Sequence, residues 1–262
     1  MFFVVLLLSA KVMCAQTVLT YNLRYDNSQD HDDRWEVRKE ELSKWIVAQH
    51  PEVIGLQEAL ASQVKYLTSM LSGYEMLGVG RDDGKSAGEF APLFIDSKTF
   101  SVQSSGHFWL SETPEVPAKG WDASCIRICT WAVLKHKASR RLMLVMNTHL
   151  DHEGLLARTN SVKQLLAFIQ TKSESLEGTT DEGELTSVPV ILMGDFNFDP
   201  SDSNYGLLAQ SELTLKEPLK DAKLAATLRS GPEGTFNGFD ISRSEEHTSE
   251  LQSPCNLVCR LL

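Results

Sequence analysis

Apolar residues along the chain switch between the two periods that separate strands from helices. Residues 17–22 (TVLTYN) alternate apolar and polar side chains, which predicts a strand running into the polar loop 26–33. Leu42, Trp45 and Ile46 fall at helical spacing and predict the buried face of a helix. Residues 52–57 (EVIGLQ) predict a second strand, and Val64, Leu67 and Leu71 a second helix. Short strands are expected at 74–80, 92–95 and 100–102, with turn residues between them. Residues 129–135 (CTWAVLK) and 142–148 (LMLVMNT) read as a hairpin turned at Ser139-Arg140, after which Val162, Leu165, Leu166 and Ile169 return to helical spacing. Beyond a Ser-, Glu-, Gly- and Thr-rich loop at 173–187, the apolar run 188–193 (VPVILM) has the character of a central strand. Helices and strands mixed in this order predict an α/β sandwich.

Composition narrows the picture. With 262 residues, 42% of them hydrophobic, the chain is long enough for one large domain with an ample core. A formal net charge of -10 argues against binding nucleic acid by bulk attraction, though not against a nuclease whose cations gather in a cleft. The apolar run from Met1 to Ala10 is too short to span a bilayer and has the length of a signal-peptide core, with cleavage after Cys14 or Ala15. This predicts a signal segment over 1–15 and a secreted or periplasmic protein without a stable membrane anchor; otherwise the run is a first strand in a cytoplasmic one. Cys125 and Cys129, four apart in an expected strand, face one side and read as buried free thiols.

Four polar clusters lie at or just beyond expected strand ends, where α/β sheets gather reactive groups. Asn22 closes the first strand, Glu58 the second, His149 the hairpin, and Asp195 with Asn197 follow the central strand. Carboxylate and amide oxygens are hard ligands suited to magnesium or manganese, which also accept phosphate oxygens. Glu58 with Asn22 could hold such an ion, Asp195 with Asn197 could orient a water, and His149 could hydrogen-bond developing phosphate charge. Each residue alone has a duller reading: a helix-start charge, a strand terminator, a turn residue, a structural histidine. Their shared position at strand ends favours the chemical one. Trp109 and Trp121, expected in loops, could stack on a base or sugar or simply anchor their loops.

In order and approximate spacing, TYNLRYDN around Asn22, GLQEAL around Glu58, NTHLDH around His149 and GDFN at Asp195-Asn197 resemble the motifs of the endonuclease/exonuclease/phosphatase superfamily. Segments 78–84 (GVGRDDG), 108–114 (FWLSETP), GWD and TWA resemble one subgroup of secreted or uncharacterised hydrolases near its deadenylase branch. The resemblance implies a DNase I-like four-layered α/β sandwich, two mixed sheets packed face to face with helices outside. It implies Mg2+ or Mn2+ at Glu58 and Asn22, catalysis by His149, Asp195 and Asn197, and phosphate contact by Arg127. The implied substrate is a phosphoester, with RNA or DNA as the first choice and inositol phosphates or phospholipids as others on the same scaffold. A non-catalytic protein holding a phosphorylated ligand is the alternative of another class, and no protein partner is evident.

The C-terminus departs from the pattern. The resemblance calls for an Asp-bearing strand and then Ser-Asp-His after the TFNGFD segment, but residues 243–253 read RSEEHTSELQS. That stretch has no apolar alternation and looks like translated adapter sequence. The domain is accordingly expected over 16–240, incomplete by its last strands, with an artefactual tail over 241–262 and a chain nearly inactive as written.

Overall fold

The computed structural model describes residues 16–176, 178–179, 185–186, 188–209, 218–227 and 255–260. In chain order the elements are β1 (Val18–Asn22), a 3-10 turn (Ser28–Asp33), α1 (Trp35–Ala48), β2 (Val53–Gln57), α2 (Ala61–Met70), β3 (Tyr74–Leu77) and β4 (Leu93–Asp96). There follow β5 (Phe100–Trp109), β6 (Ile128–His136), β7 (Leu142–His149), α3 (Leu155–Leu176), β8 (Gly178–Thr179) and β9 (Leu185–Thr186). The described chain then gives β10 (Val190–Asp195), α4 (Ser203–Ala209), β11 (Lys220–Asp221), α5 (Ala222–Ala225) and β12 (Cys255–Arg260).

Two mixed sheets result, one ordered β1-β2-β4-β3 and the other β11-β12-β10-β7-β6-β5, while β8 and β9 pair only with each other. The period-two pattern explains how they stack. Val53, Leu93 and Ile95 from the first sheet meet Ala132, Leu134, Met143, Val145, Ile191 and Met193 from the second, forming a core between the sheets. The opposite faces are covered by helices. Ile54, Leu56 and Phe94 pack with Ile46, Val64 and Leu67 of α1 and α2. Val133, Leu144, Met146 and Leu192 pack with Val162, Leu165, Leu166 and Ile169 of α3. This is the expected helix–sheet–sheet–helix sandwich.

Several expectations need correction. Trp45 is exposed, its ring tilted against that of Tyr21, leaving Ile46 as the fully buried residue of that face. β5 continues to Trp109 through an irregularity between Val102 and Ser104, and its polar run Ser104-Ser105-Gly106 hid it from the apolar pattern. Trp109 is thus a strand residue, buried, with its Nε1 donating to the Arg81 carbonyl oxygen at 2.7 Å, and is not free to stack. The helix α3 takes in 173–176 of the expected loop. Residues 1–15, the expected signal segment, and 241–254 lie outside the described residues. No helix among the described residues is long and apolar enough to cross a membrane.

The segment from 241 is not wholly outside the sheet. β12 pairs antiparallel with β10 over six residues, from Val190↔Arg260 to Asp195↔Cys255, and then with β11. Its sequence, CNLVCR, carries the apolar content that RSEEHTSELQS lacks, and an open edge of β10 offers backbone groups to any extended segment.

The sheets approach closely at Gly55, where an added Cβ would lie 2.4 Å from Met193 Sδ and 2.9 Å from Asn147 Cγ. Gly55→Ala is therefore expected to destabilise the fold by about 1–3 kcal/mol through overpacking. Gly206, in α4 with nothing within 4 Å of such a Cβ, should gain about 0.5–1 kcal/mol on change to Ala. Urea unfolding checks both; equal effects at the two positions would contradict this account of the sheet contact.

Candidate active site

The C-terminal ends of β1, β2, β7 and β10 meet at one end of the sandwich. β1 runs parallel to β2 and β7 parallel to β10, so their last residues lie level: Asn22 opposite Gln57, His149 opposite Asp195. Strand alternation points Asn22, His149 and Asp195 toward the space between the sheets, in step with Val18, Val145 and Met193. Glu58 would face the opposite way in a continued strand. Its left-handed backbone (φ 58°) breaks the alternation and delivers the carboxylate to the same place. Asn197 (φ 51°) is likewise left-handed, a conformation asparagine tolerates better than most residues.

The side chains converge on one amide. Asn22 Nδ2 donates to Glu58 Oε1 at 2.8 Å and to Asp195 Oδ2 at 3.0 Å, while Asn22 Oδ1 accepts from the Arg24 N–H at 2.9 Å. The second Glu58 oxygen accepts from the Tyr25 N–H at 3.2 Å. Asn197 donates its backbone N–H to Asp195 Oδ1 at 3.2 Å and its side-chain amide to the Leu150 carbonyl oxygen at 2.9 Å. His149 stands between two carboxylates, its Nε2 3.9 Å from Asp195 Oδ2 and its Nδ1 4.0 Å from Glu89 Oε2. Both distances exceed a hydrogen bond, and His149 Nδ1 is buried without a partner among the described residues.

Burial sets the charge states. It pushes the Asp195 carboxyl up to about 7, aided by the neighbouring Glu58 charge and opposed by the hydrogen bonds from Asn22 and Asn197. Burial, with the Arg127 and Arg81 charges, holds His149 well below its usual range, so the imidazole is neutral at neutral pH. Glu89 is raised by burial, against the pull of Arg81, whose Nη1 lies 2.8 Å from Glu89 Oε2.

Arg127 sits in the same pocket, with only 4% of its side chain exposed. Its Nε donates to Asp151 Oδ2 at 3.3 Å, and its Nη2 lies 2.8 Å from His152 Nδ1. Asp151 also accepts from the N–H groups of Ser124, Cys125, Glu153 and Gly154. Burial raises its carboxyl, but those donors and Arg127 outweigh burial and hold it well below the usual carboxylate range. Cys125, Asp151 and His152 carry ligand-type atoms within 4.8 Å of one another. We read them as an anchor for Arg127 and not as a metal centre, because Arg127 and the backbone already take the lone pairs an ion would need.

A cavity of about 200 Å³ opens beside these groups, lined by Arg24, Tyr25, Glu58, Arg81, Glu89, Cys125, Arg127, His149, His152 and Asn197. All six residues singled out from the sequence gather here: Asn22, Glu58, Arg127, His149, Asp195 and Asn197. Sequence reasoning missed Glu89, Arg81, Asp151 and His152. The last two stand inside the quoted NTHLDH motif, and Arg81 inside GVGRDDG, but nothing in their spacing assigned them a part. Cys125 precedes β6 and is only half-buried, so it is not the core thiol expected, whereas Cys129 is.

The Asp195 shift has a consequence for stability. A carboxyl raised in the folded state favours folding while it stays protonated, and that contribution is lost as pH rises from its ordinary value near 3.8 through about 7. In the metal-free protein, Asp195→Asn should therefore stabilise more at pH about 8 than at pH about 4. Thermal unfolding of both proteins at both pH values measures this; the same difference at each would rule it out.

Comparison with solved structures places this arrangement. An endonuclease/exonuclease/phosphatase from Bacteroides vulgatus is 34% identical, with 92% of this chain and 85% of that one covered and a TM-score of 0.77. The mannosyl-6-phosphatase Bt3783 of Bacteroides thetaiotaomicron VPI-5482 is 33% identical over 94% of this chain and 85% of its own, at a TM-score of 0.81. The human Nocturnin catalytic domain, 20% identical over 86% of this chain and 75% of its own with a TM-score of 0.60, shares the fold. Neither a family model nor a curated protein matches the sequence. With the fold and a third of the sequence in common with the two Bacteroides proteins, the chain belongs to the endonuclease/exonuclease/phosphatase family.

Proposed function

We propose that this protein hydrolyses a small phosphoester, a sugar phosphate first among them, by metal-assisted attack of water. The observation that carries the reading is the pair of carboxylates, Glu58 and Asp195, gathered on the single Asn22 amide beside a cavity walled by Arg127 and His149. Two hard anionic donors so placed, one raised by burial, form the kind of group that Mg2+ or Mn2+ relieves. Glu58 and Asn22 would hold the ion, with Asp195 alongside; when bound it would supply Lewis acidity to the phosphoryl oxygen.

The chain's own groups supply the rest. Arg127, fixed by Asp151 and His152, presents positive charge to the phosphate at no cost in side-chain ordering. Neutral His149 can donate one N–H to charge growing on the phosphoryl group. Asp195, positioned by Asn22 and Asn197, accepts a hydrogen bond from the attacking water and orients it. Arg81, Glu89 and His152 face the space a leaving group would fill, and their mixed donors and acceptors suit hydroxyl groups.

The cavity's size and the likeness to a mannosyl-6-phosphatase favour a sugar phosphate over the polynucleotide preferred from sequence. The acidic balance of the chain points the same way. β12 lies beside β10, but its sequence holds neither Asp nor His, so the Ser-Asp-His segment expected from the resemblance has no counterpart there.

Phosphate release from a hexose 6-phosphate is expected from the chain extended by a homologous Ser-Asp-His segment, and EDTA should abolish it. The present chain should turn over slower by about two orders of magnitude or more, and Glu58→Gln in the extended chain should cost as much. Release that EDTA leaves intact would sink the metal reading. Faster cleavage of an RNA oligonucleotide than of the hexose phosphate would return the substrate to nucleic acid.

A further inference from the structure

The two halves of the site are carried by different sheets. Asn22 ends β1 and Glu58 follows β2 of the four-stranded sheet, while His149 and Asp195 end β7 and β10 of the six-stranded one. Between them lies a largely apolar core, broken near the site by a pair of side-chain amides. There Gln57 and Asn147, both fully buried, face each other across the gap.

Gln57 Nε2 donates to Asn147 Oδ1 at 2.7 Å, while Asn147 Nδ2 donates to the carbonyl oxygens of Leu56 at 2.8 Å and Pro92 at 2.9 Å. Gln57 Nε2 also reaches Thr20 Oγ1 at 3.2 Å. Asn147 thus takes hold of β2 and of the residue leading into β4, and through Gln57 of β1, all from the opposite sheet. Apolar contacts are non-directional and let two sheets slide; buried hydrogen bonds fix one register, because any other leaves polar groups unpaired. The clasp sits one residue before Glu58 and two before His149. Gly55 makes it possible, since a Cβ there would overlap Asn147.

We propose that the Gln57–Asn147 amide clasp is a positioning device that sets the spacing of the metal-holding half of the site against the phosphate-holding half. The proposal rests on the hydrolase reading for its purpose, but its geometry can be tested without turnover. The bond from Asn22 Nδ2 to Asp195 crosses the same junction, so it reports whether the halves stay in register.

Hydrogen exchange of the Asn22 side-chain amide, followed by NMR in the full chain, is the first measurement. Asn147→Ala and, by a different route, Gly55→Ala should each speed that exchange by about tenfold or more. Mn2+ affinity measured by calorimetry should fall by about 10- to 100-fold in the same variants, as when a group supporting metal ligands is removed. Ile169→Val, which loosens the core under α3 away from the clasp, should leave both quantities unchanged. Unaltered Asn22 exchange in Asn147→Ala and Gly55→Ala, or equal acceleration by Ile169→Val, would overturn the proposal. Should the unmodified chain bind no Mn2+, the hydrolase reading fails, and the exchange comparison still decides the clasp.

Discussion

A single side-chain amide holding two carboxylates is the constraint from which the rest of the structure makes sense. The side chain of Asn22 has one nitrogen, and it donates to Glu58, just beyond β2 of one sheet, and to Asp195, at the end of β10 of the other. Carboxylates gathered out of water repel each other and lose hydration, so a fold that collects them must gain elsewhere. One amide offsets little of that cost. A divalent ion would offset much more, which is the ground for proposing an ion site here.

The fold can meet this constraint because strands alternate. Asn22, His149 and Asp195 reach the space between the sheets by continuing the parity of apolar residues in the inter-sheet core. The residues that pack the sandwich and those proposed for the chemistry are thus set by one pattern, with polar replacing apolar at the last position of β1, β7 and β10. Glu58 departs from that parity and arrives through a left-handed backbone, a strained conformation for a residue that is neither Gly nor Asn. Across from these groups, Asp151 does for Arg127 what Asn22 does for the carboxylates: it spends many hydrogen bonds to leave one charged group fixed and aimed.

Much of this was legible in the sequence, for a physical reason. Val53–Gln57, Leu142–His149 and Val190–Asp195 are nearly all buried, so their apolar runs announce central strands, and the polar residue ending each run announces a site. What the sequence hid depends on contacts that no short period encodes. Glu89 joins the pocket from a loop folded back on itself by backbone bonds such as Arg81 N–H to the Glu89 carbonyl oxygen. Trp109 looked like a loop aromatic because the exposed polar middle of β5 broke the strand pattern. β12 was missed because the polar character of RSEEHTSELQS was extended to the whole tail, although CNLVCR after it has the apolar content of a strand.

The central proposal is that a cation held at Glu58 and Asn22 lies against Asp195, and titration of the Asp195 carboxyl by carbon NMR tests it most directly. Without divalent ions the account predicts a midpoint near the value of about 7 to which burial lifts this group. Saturating Mg2+ should move the midpoint far downward, and in Glu58→Gln that movement should shrink or vanish. A midpoint that Mg2+ leaves in place would contradict the account.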